Sequence, residues 1–189
     1  MGLFDFLKGK QKKAPQHELP KREILLSDIR VGYFVEYQLR LWQVTAYNQY
    51  DFLDESMADE WELQEGEESI FLEVGEDDGM YWTVSKPISI GKIEGRVRQT
   101  IIDTDEPPER IVYDGRTYYL DDSGGGYCFE GGRDGDGEEF VYWTFETEDE
   151  KFVLTIERWD EADFEAFQGF YVNEDEFTNI YPSDQDNSV

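Results

Sequence analysis

A chain of 189 residues is long enough for one domain, or two small ones sharing a core, and needs no disulfide or metal staple. Seventeen Lys and Arg against forty-five Asp and Glu leave a formal charge of −28, which disfavours binding along a nucleic-acid backbone. Aromatics make up 16% of the chain, core-forming material that an acidic disordered polymer lacks, and one cysteine (Cys128) and one histidine (His17) exclude an internal disulfide and most histidine-based catalysis.

The chain opens MGLFDFLKGKQKK. Read as a short amphipathic helix over residues 1–13, it places Leu3, Phe4 and Leu7 on one face with Phe6 flanking, followed by Lys8, Lys10, Lys12 and Lys13. An apolar wedge beside a basic cluster fits attachment to an anionic membrane surface, docking on a protein partner, or an inert tail. The myristoylation pattern fails at Phe6, where Ser or Thr is required. Residues 14–23, with Pro15 and Pro20, read as a linker. No apolar run is long enough to span a membrane and the start lacks an export h-region, so the expected location is the cytoplasm, peripheral on the inner face of the membrane if the tail docks there. Charge changes sign along the chain: residues 1–30 carry seven basic and four acidic side chains, net +3, and residues 31–189 carry ten against forty-one, net −31.

From Ser27–Arg30, read as a capped single turn, the chain alternates polar with aromatic or β-branched residues at period two. Strands are expected at 33–38, 41–50, 60–64, 69–74, 80–85 and 88–90, then at 110–113, 116–120, 127–130, 139–147, 151–158, 167–172 and 177–181. Asp114-Gly115 between two alternating runs predicts a type I′ hairpin. Residues 93–108 form a crossover, and 182–189 a disordered acidic tail.

The two sets of strands match each other. The segment holding Val35, Tyr37, Arg40 and Trp42 returns 76 residues later, with Tyr113, Arg116 and Tyr118 in the matching places. At an offset of 82, Trp61-Glu62-Leu63 falls on Trp143-Thr144-Phe145 and Phe71–Val74 falls on Val153–Ile156, and later Ile90 answers Ile180. The expected fold is therefore all-β. Residues 24–181 would form two similar, strongly bent antiparallel units, barrel- or sandwich-like, with halves at about 31–91 and 108–181 packed as one body.

Chemical motifs are sparse. Asp134–Glu139 alternates carboxylates and glycines like a calcium loop, but Phe145 stands at the twelfth position, so a solvated hairpin loop is expected there and at Gly75–Gly79. The Gly124–Gly126 run follows Asp121 and Asp122, which would repel an anion, and reads as a loop or bulge. Trp42, Trp61, Trp82, Trp143 and Trp159 sit in strand-like alternation and read as core, and Cys128 as a small buried residue. No catalytic, cofactor or metal residue emerges.

Leu26–Tyr37 (LSDIRVGYFVEY), residues 107–120 (PPERIVYDGRTYYL), Gly124–Tyr127, Tyr142-Trp143 and Leu154–Trp159 together resemble the bacterial domain-of-unknown-function family 4178, over about residues 24–181. Those motifs are structural. The resemblance implies a context of polyamine-synthase-like enzymes and membrane stress, and no activity. The expected function is a non-catalytic adaptor or interaction protein whose acidic surface meets a basic protein or polycation, with no cofactor and no nucleic-acid partner. Alternatives are a carboxylate-based enzyme or ligand-binding domain, and a nucleic-acid mimic.

Overall fold

The computed structural model describes residues 24–53, 56–76 and 79–182. Its strands are β1 (Phe34–Tyr37), β2 (Arg40–Phe52), β3 (Met57–Glu65), β4 (Glu68–Glu76), β5 (Met80–Pro87), β6 (Arg110–Tyr113), β7 (Arg116–Glu130), β8 (Glu138–Glu146), β9 (Phe152–Arg158), β10 (Phe164–Val172) and β11 (Phe177–Tyr181). All pair antiparallel, in the order β11-β1-β2-β3-β4-β5-β10-β9-β8-β7-β6. A further pairing of β2 with β7 closes the eight strands from β2 round to β7 into a barrel. The all-β expectation holds. The halves join at their edges, through β2–β7 and β5–β10, so neither leaves a bare inner edge.

The two halves repeat their connectivity. The β1–β2 turn puts Gln38 (φ 51) and Leu39 (φ 63) in the left-handed region, and the β6–β7 turn does the same with Asp114 (φ 49) and Gly115 (φ 72), as a type I′ hairpin requires. Seven residues beyond each first turn residue the ladder slips by one, at Thr45 in β2 and at Asp121 in β7, again 76 apart. Trp61 pairs with Leu72 and Trp143 with Ile156, so β3 and β8 are offset by 82 but β4 and β9 by 84. The matching of Phe71–Val74 to Val153–Ile156 was thus two residues out, an error that period-two alternation cannot expose because both choices keep the same face.

Other boundaries also differ. Residues 88–90 are not a strand; they lead into a single turn at Ile90–Lys92. The crossover contains a helix, α1 (Val97–Thr104), which buries Val97 and Ile101. Residues 116–130 are one long strand, so Gly124–Gly126 are neither loop nor phosphate cradle; the bulge lies just before them. The turn at Leu26–Asp28 forms, but no side chain caps it. Ile90 does not answer Ile180: Glu94 bridges Val112 of β6, while Thr178 of β11 pairs with Glu36 of β1, so each half's trailing segment covers the other half.

Apolar side chains lie mainly outside the barrel, under these covers. Trp61, Leu63, Ile70, Leu72, Trp82 and Val84 face outward beneath β1, β11 and the Leu26–Asp28 turn, which add Val35, Phe177 and Leu26. On the other half Trp143, Phe145, Leu154, Ile156 and Ala166 lie beneath β6, α1 and the preceding turn, which add Ile111, Val97, Ile101 and Ile93. The two central tryptophans are held alike: the Trp61 indole N–H donates to the Ile29 carbonyl at 3.1 Å, and that of Trp143 to a Glu106 carboxylate oxygen at 3.3 Å.

Candidate functional site

Strand alternation sends the opposite set of side chains inward. On β3, Glu60 points into the lumen while its neighbours Asp59 and Trp61 point out, and cross-strand pairing carries this phase to Glu73 on β4 and Thr83 on β5. On the facing wall Tyr142 of β8 pairs with Glu157 of β9, and Thr144 with Thr155. The lumen opens at both ends of the barrel. One cavity of about 700 Å³ holds Glu60, Glu73 and Glu157, with Glu76, Asp121, Asp122 and Glu146 toward its mouth. A second, of about 840 Å³, occupies the other end, with Glu130, Asp136, Glu138, Asp163 and Glu165. Tyr50, Glu60 and Phe167 border both.

Among the described residues twelve carboxylates line these two cavities, seven in the first and six in the second with Glu60 common to both, and no Lys, Arg or His of the described residues is in the lining. The described cations are elsewhere. Arg40, Lys86, Arg116, Arg133, Lys151 and Arg158 form ion pairs that leave both cavities untouched, for example Arg40 with Glu68 at 2.7 Å and Arg158 with Asp105 at 3.0 Å.

Burial dominates the electrostatics of the central acids. Glu60 is only 8% exposed, and loss of water pushes its carboxyl up to about 7 against two hydrogen bonds that favour the charged form, from Asn48 Nδ2 at 3.0 Å and the Tyr50 hydroxyl at 3.2 Å. Glu73 is pushed up to about 7 by desolvation and by Glu60, which stands opposite it on the neighbouring strand. Glu157, 9% exposed, is raised well above the usual carboxylate range by desolvation and then by Glu60, Glu165 and Glu73. Its Oε2 is buried without a hydrogen-bond partner. A buried acceptor left unsatisfied costs about 1–3 kcal/mol, more when charged, so this atom marks where a donor is missing.

The remaining wall is aromatic and hydroxylic. Tyr50, Phe52, Phe140 and Tyr142 form an edge-to-face cluster near the β2–β7 seam, and Trp159 stacks on Phe140 with ring centroids 5.1 Å apart. Cys128 faces the same cluster; burial pushes its thiol up to about 12, which leaves it a packing residue, as its sequence setting indicated. Trp42, Trp61, Trp82 and Trp143 are core as expected, whereas Trp159 borders the second cavity. Asp136 and Glu138, expected in a solvated loop, also border it. Among the described residues no group of three or more His, Cys, Asp or Glu is placed to hold a metal ion.

The sequence reading put function on the tail, at Leu3, Phe4, Phe6, Leu7, Lys8, Lys10, Lys12 and Lys13, all of which lie outside the described residues, and on the acidic outer surface. It missed Glu60, Glu73 and Glu157. Their signal is Glu60-Trp61-Glu62-Leu63, where acids occupy the whole face opposite the core residues.

A single closed antiparallel barrel with apolar covers outside and an acidic lumen within is thus the class of molecule that the fold and cavity define. The chain belongs to the family described as domain of unknown function (DUF4178), which matches residues 30–174 and so takes in every strand of the barrel. It is also similar to an uncharacterised protein of Aquifex aeolicus (strain VF5), 25% identical over 181 residues that cover 94% of this chain and 98% of the relative. No solved structure matches it.

Proposed function

We propose that this domain is a non-catalytic binding module whose barrel lumen receives a small organic cation. The observation that carries this reading is the unpartnered, buried Glu157 Oε2 in a cavity walled by carboxylates, with no basic side chain among the described residues that line it. An ammonium group would supply the missing donor and balance the charge, and the rings of Tyr50, Phe52, Phe140 and Tyr142 would accept its methylenes. Catalysis by paired carboxylates needs one group held protonated and another held ionised. Here Glu60, Glu73 and Glu157 are all displaced the same way, which favours binding over acid–base work. The adaptor role, with its membrane-stress or polyamine context, would rest on the tail carrying this module to a membrane or partner, and vesicle sedimentation with and without residues 1–13 tests that part.

A thermal melt tests the lumen reading. Butylammonium chloride is expected to raise the melting temperature more than sodium chloride at equal ionic strength, and Glu157→Gln to remove the difference. Equal shifts from both salts would overturn it. The repeated connectivity also supports an internal duplication; superposition of 31–91 on 108–181 over all five strands of a solved structure is expected, and agreement confined to one hairpin would defeat it.

A further inference from the structure

The lumen has two mouths, and the registers of both seams relate them. In the β2–β7 seam Asp51 stands opposite Tyr127, 76 residues apart, the same offset that separates the two hairpin turns and the two bulges. In the β5–β10 seam Lys86 stands opposite Gln168, 82 apart, as are Trp61 and Trp143. Each seam therefore pairs a residue with its own counterpart, so an approximate two-fold axis crosses the barrel through both seams. Such an axis lies perpendicular to the barrel and exchanges its ends. β2 runs toward the first mouth and β7, its counterpart, toward the second.

The charge follows the same pattern. Glu76, Asp122 and Glu146 stand at one mouth and Glu130, Glu138 and Asp163 at the other. Glu60, between the cavities, borders both, with Glu73 and Glu157 beside it. A compact monocation could meet only one of these three groups. A molecule that meets all three must be linear, positively charged at both ends and along its length, and narrow enough for a lumen of eight strands.

Building on the reading of the lumen as an organic-cation site, we propose that its ligand is a linear aliphatic polyamine lying along the barrel axis, with terminal ammonium groups at the two acidic mouths and an inner one at Glu157. Linked ammonium groups gain from one another's binding because each holds the next at high effective concentration. Methylene segments between them would lie on the aromatic wall.

Titration calorimetry on the full chain at fixed ionic strength tests this, with butylamine, 1,4-diaminobutane and spermidine as probes and magnesium chloride as a simple divalent control. Affinity is expected to rise at least tenfold at each step from one to two to three ammonium groups, with one spermidine per chain. Glu157→Gln, close in shape to the native residue, and separately Glu73→Gln, should each weaken spermidine at least tenfold. The outer pair Glu65→Gln/Glu68→Gln should leave its affinity unchanged. Equal, one-to-one affinity for butylamine and spermidine, lost in Glu157→Gln, would overturn the polyamine assignment while keeping the organic-cation reading. Binding of no amine would overturn both. Several spermidines per chain, weakened equally by inner and outer substitutions or matched by magnesium, would show condensation on the acidic surface and overturn the lumen site.

Discussion

The two faces of one sheet do opposite jobs in this barrel. Its outer face carries Trp61, Leu63, Ile70 and Leu72 in one half and Trp143, Phe145, Leu154 and Ile156 in the other, each set sealed by short strands and turns or a helix. Its inner face carries Glu60, Glu73, Glu157 and a ring of Thr, Tyr and Phe. An eight-stranded barrel is just wide enough for its interior to be filled by side chains or to hold one small ligand. By moving its two larger cores outside, this one leaves the interior to carboxylates, hydroxyls and one aromatic cluster. The stability of the fold should therefore depend on the outer face, and ligand chemistry on the inner.

The largest expected effect breaks the outer face. Leu72 and Leu154 are fully buried in separate cores, and truncation to alanine should cost about 3–5 kcal/mol in each case, measured by denaturant unfolding. Glu157→Gln should cost nothing by the same measurement near pH 7, since it removes a carboxyl whose ionised form is poorly solvated. A large loss from Glu157→Gln with a small loss from Leu72→Ala would reverse the assignment of the two faces.

Next comes pH. Because burial raises Glu60 from 4.5 to about 7, the native state keeps a proton that the unfolded chain gives up above about pH 4.5. Its stabilising contribution is complete below the unfolded value and is lost as pH rises through the folded one. Across that window the Glu60 share is about 2–3 kcal/mol, and Glu73 and Glu157 push the same way. Unfolding curves from pH 4.5 to 7.5 should show stability declining, less steeply in Glu60→Gln. A flat profile in the native protein would mean that the lumen solvates its acids fully.

Much of this was legible in the sequence. Alternation located the strands and grouped Trp61 with Leu63 and Glu60 with Glu62, and Asp114-Gly115 announced its turn. Which face becomes the interior was not legible, because that depends on the β2–β7 and β5–β10 seams, whose partners lie about 80 residues apart and leave no local mark. The helix α1 was missed because only Val97 and Ile101 reveal its buried side over eight residues. The glycine run misled for a different reason: Gly124–Gly126 are in β7 because neighbours fill the space a side chain would need.

The seams offer a smaller test. A Cβ on Gly169 would lie 2.7 Å from the Val84 carbonyl oxygen, and one on Gly126 would lie 2.8 Å from that of Asp51, so each seam has a glycine where the other strand presses in. Alanine at either position must spread the strands, at about 1–3 kcal/mol. Amide hydrogen exchange should quicken along the affected seam and leave both outer cores protected. Uniform quickening would mean that the seams and the cores open as one unit.

The smallest expected effect tests whether the halves that make the barrel are equivalent. Leu39 is fully exposed at φ 63, and its counterpart Gly115 takes φ 72 with no side chain to strain. A left-handed conformation costs a leucine about 1–2 kcal/mol, and glycine returns part of that through the freedom it gains in the unfolded chain. Leu39→Gly should therefore stabilise by about 0.5–1 kcal/mol, and Gly115→Leu should destabilise by a similar amount. Because Leu39 buries nothing, no packing loss offsets the gain, so chemical denaturation of the two variants reads the turn alone. Opposite signs would show that both hairpins impose the same geometry on different residues. Destabilisation by Leu39→Gly would mean that the exposed leucine holds the first hairpin by a contact its counterpart lacks, and the two ends of the barrel would then differ in kind.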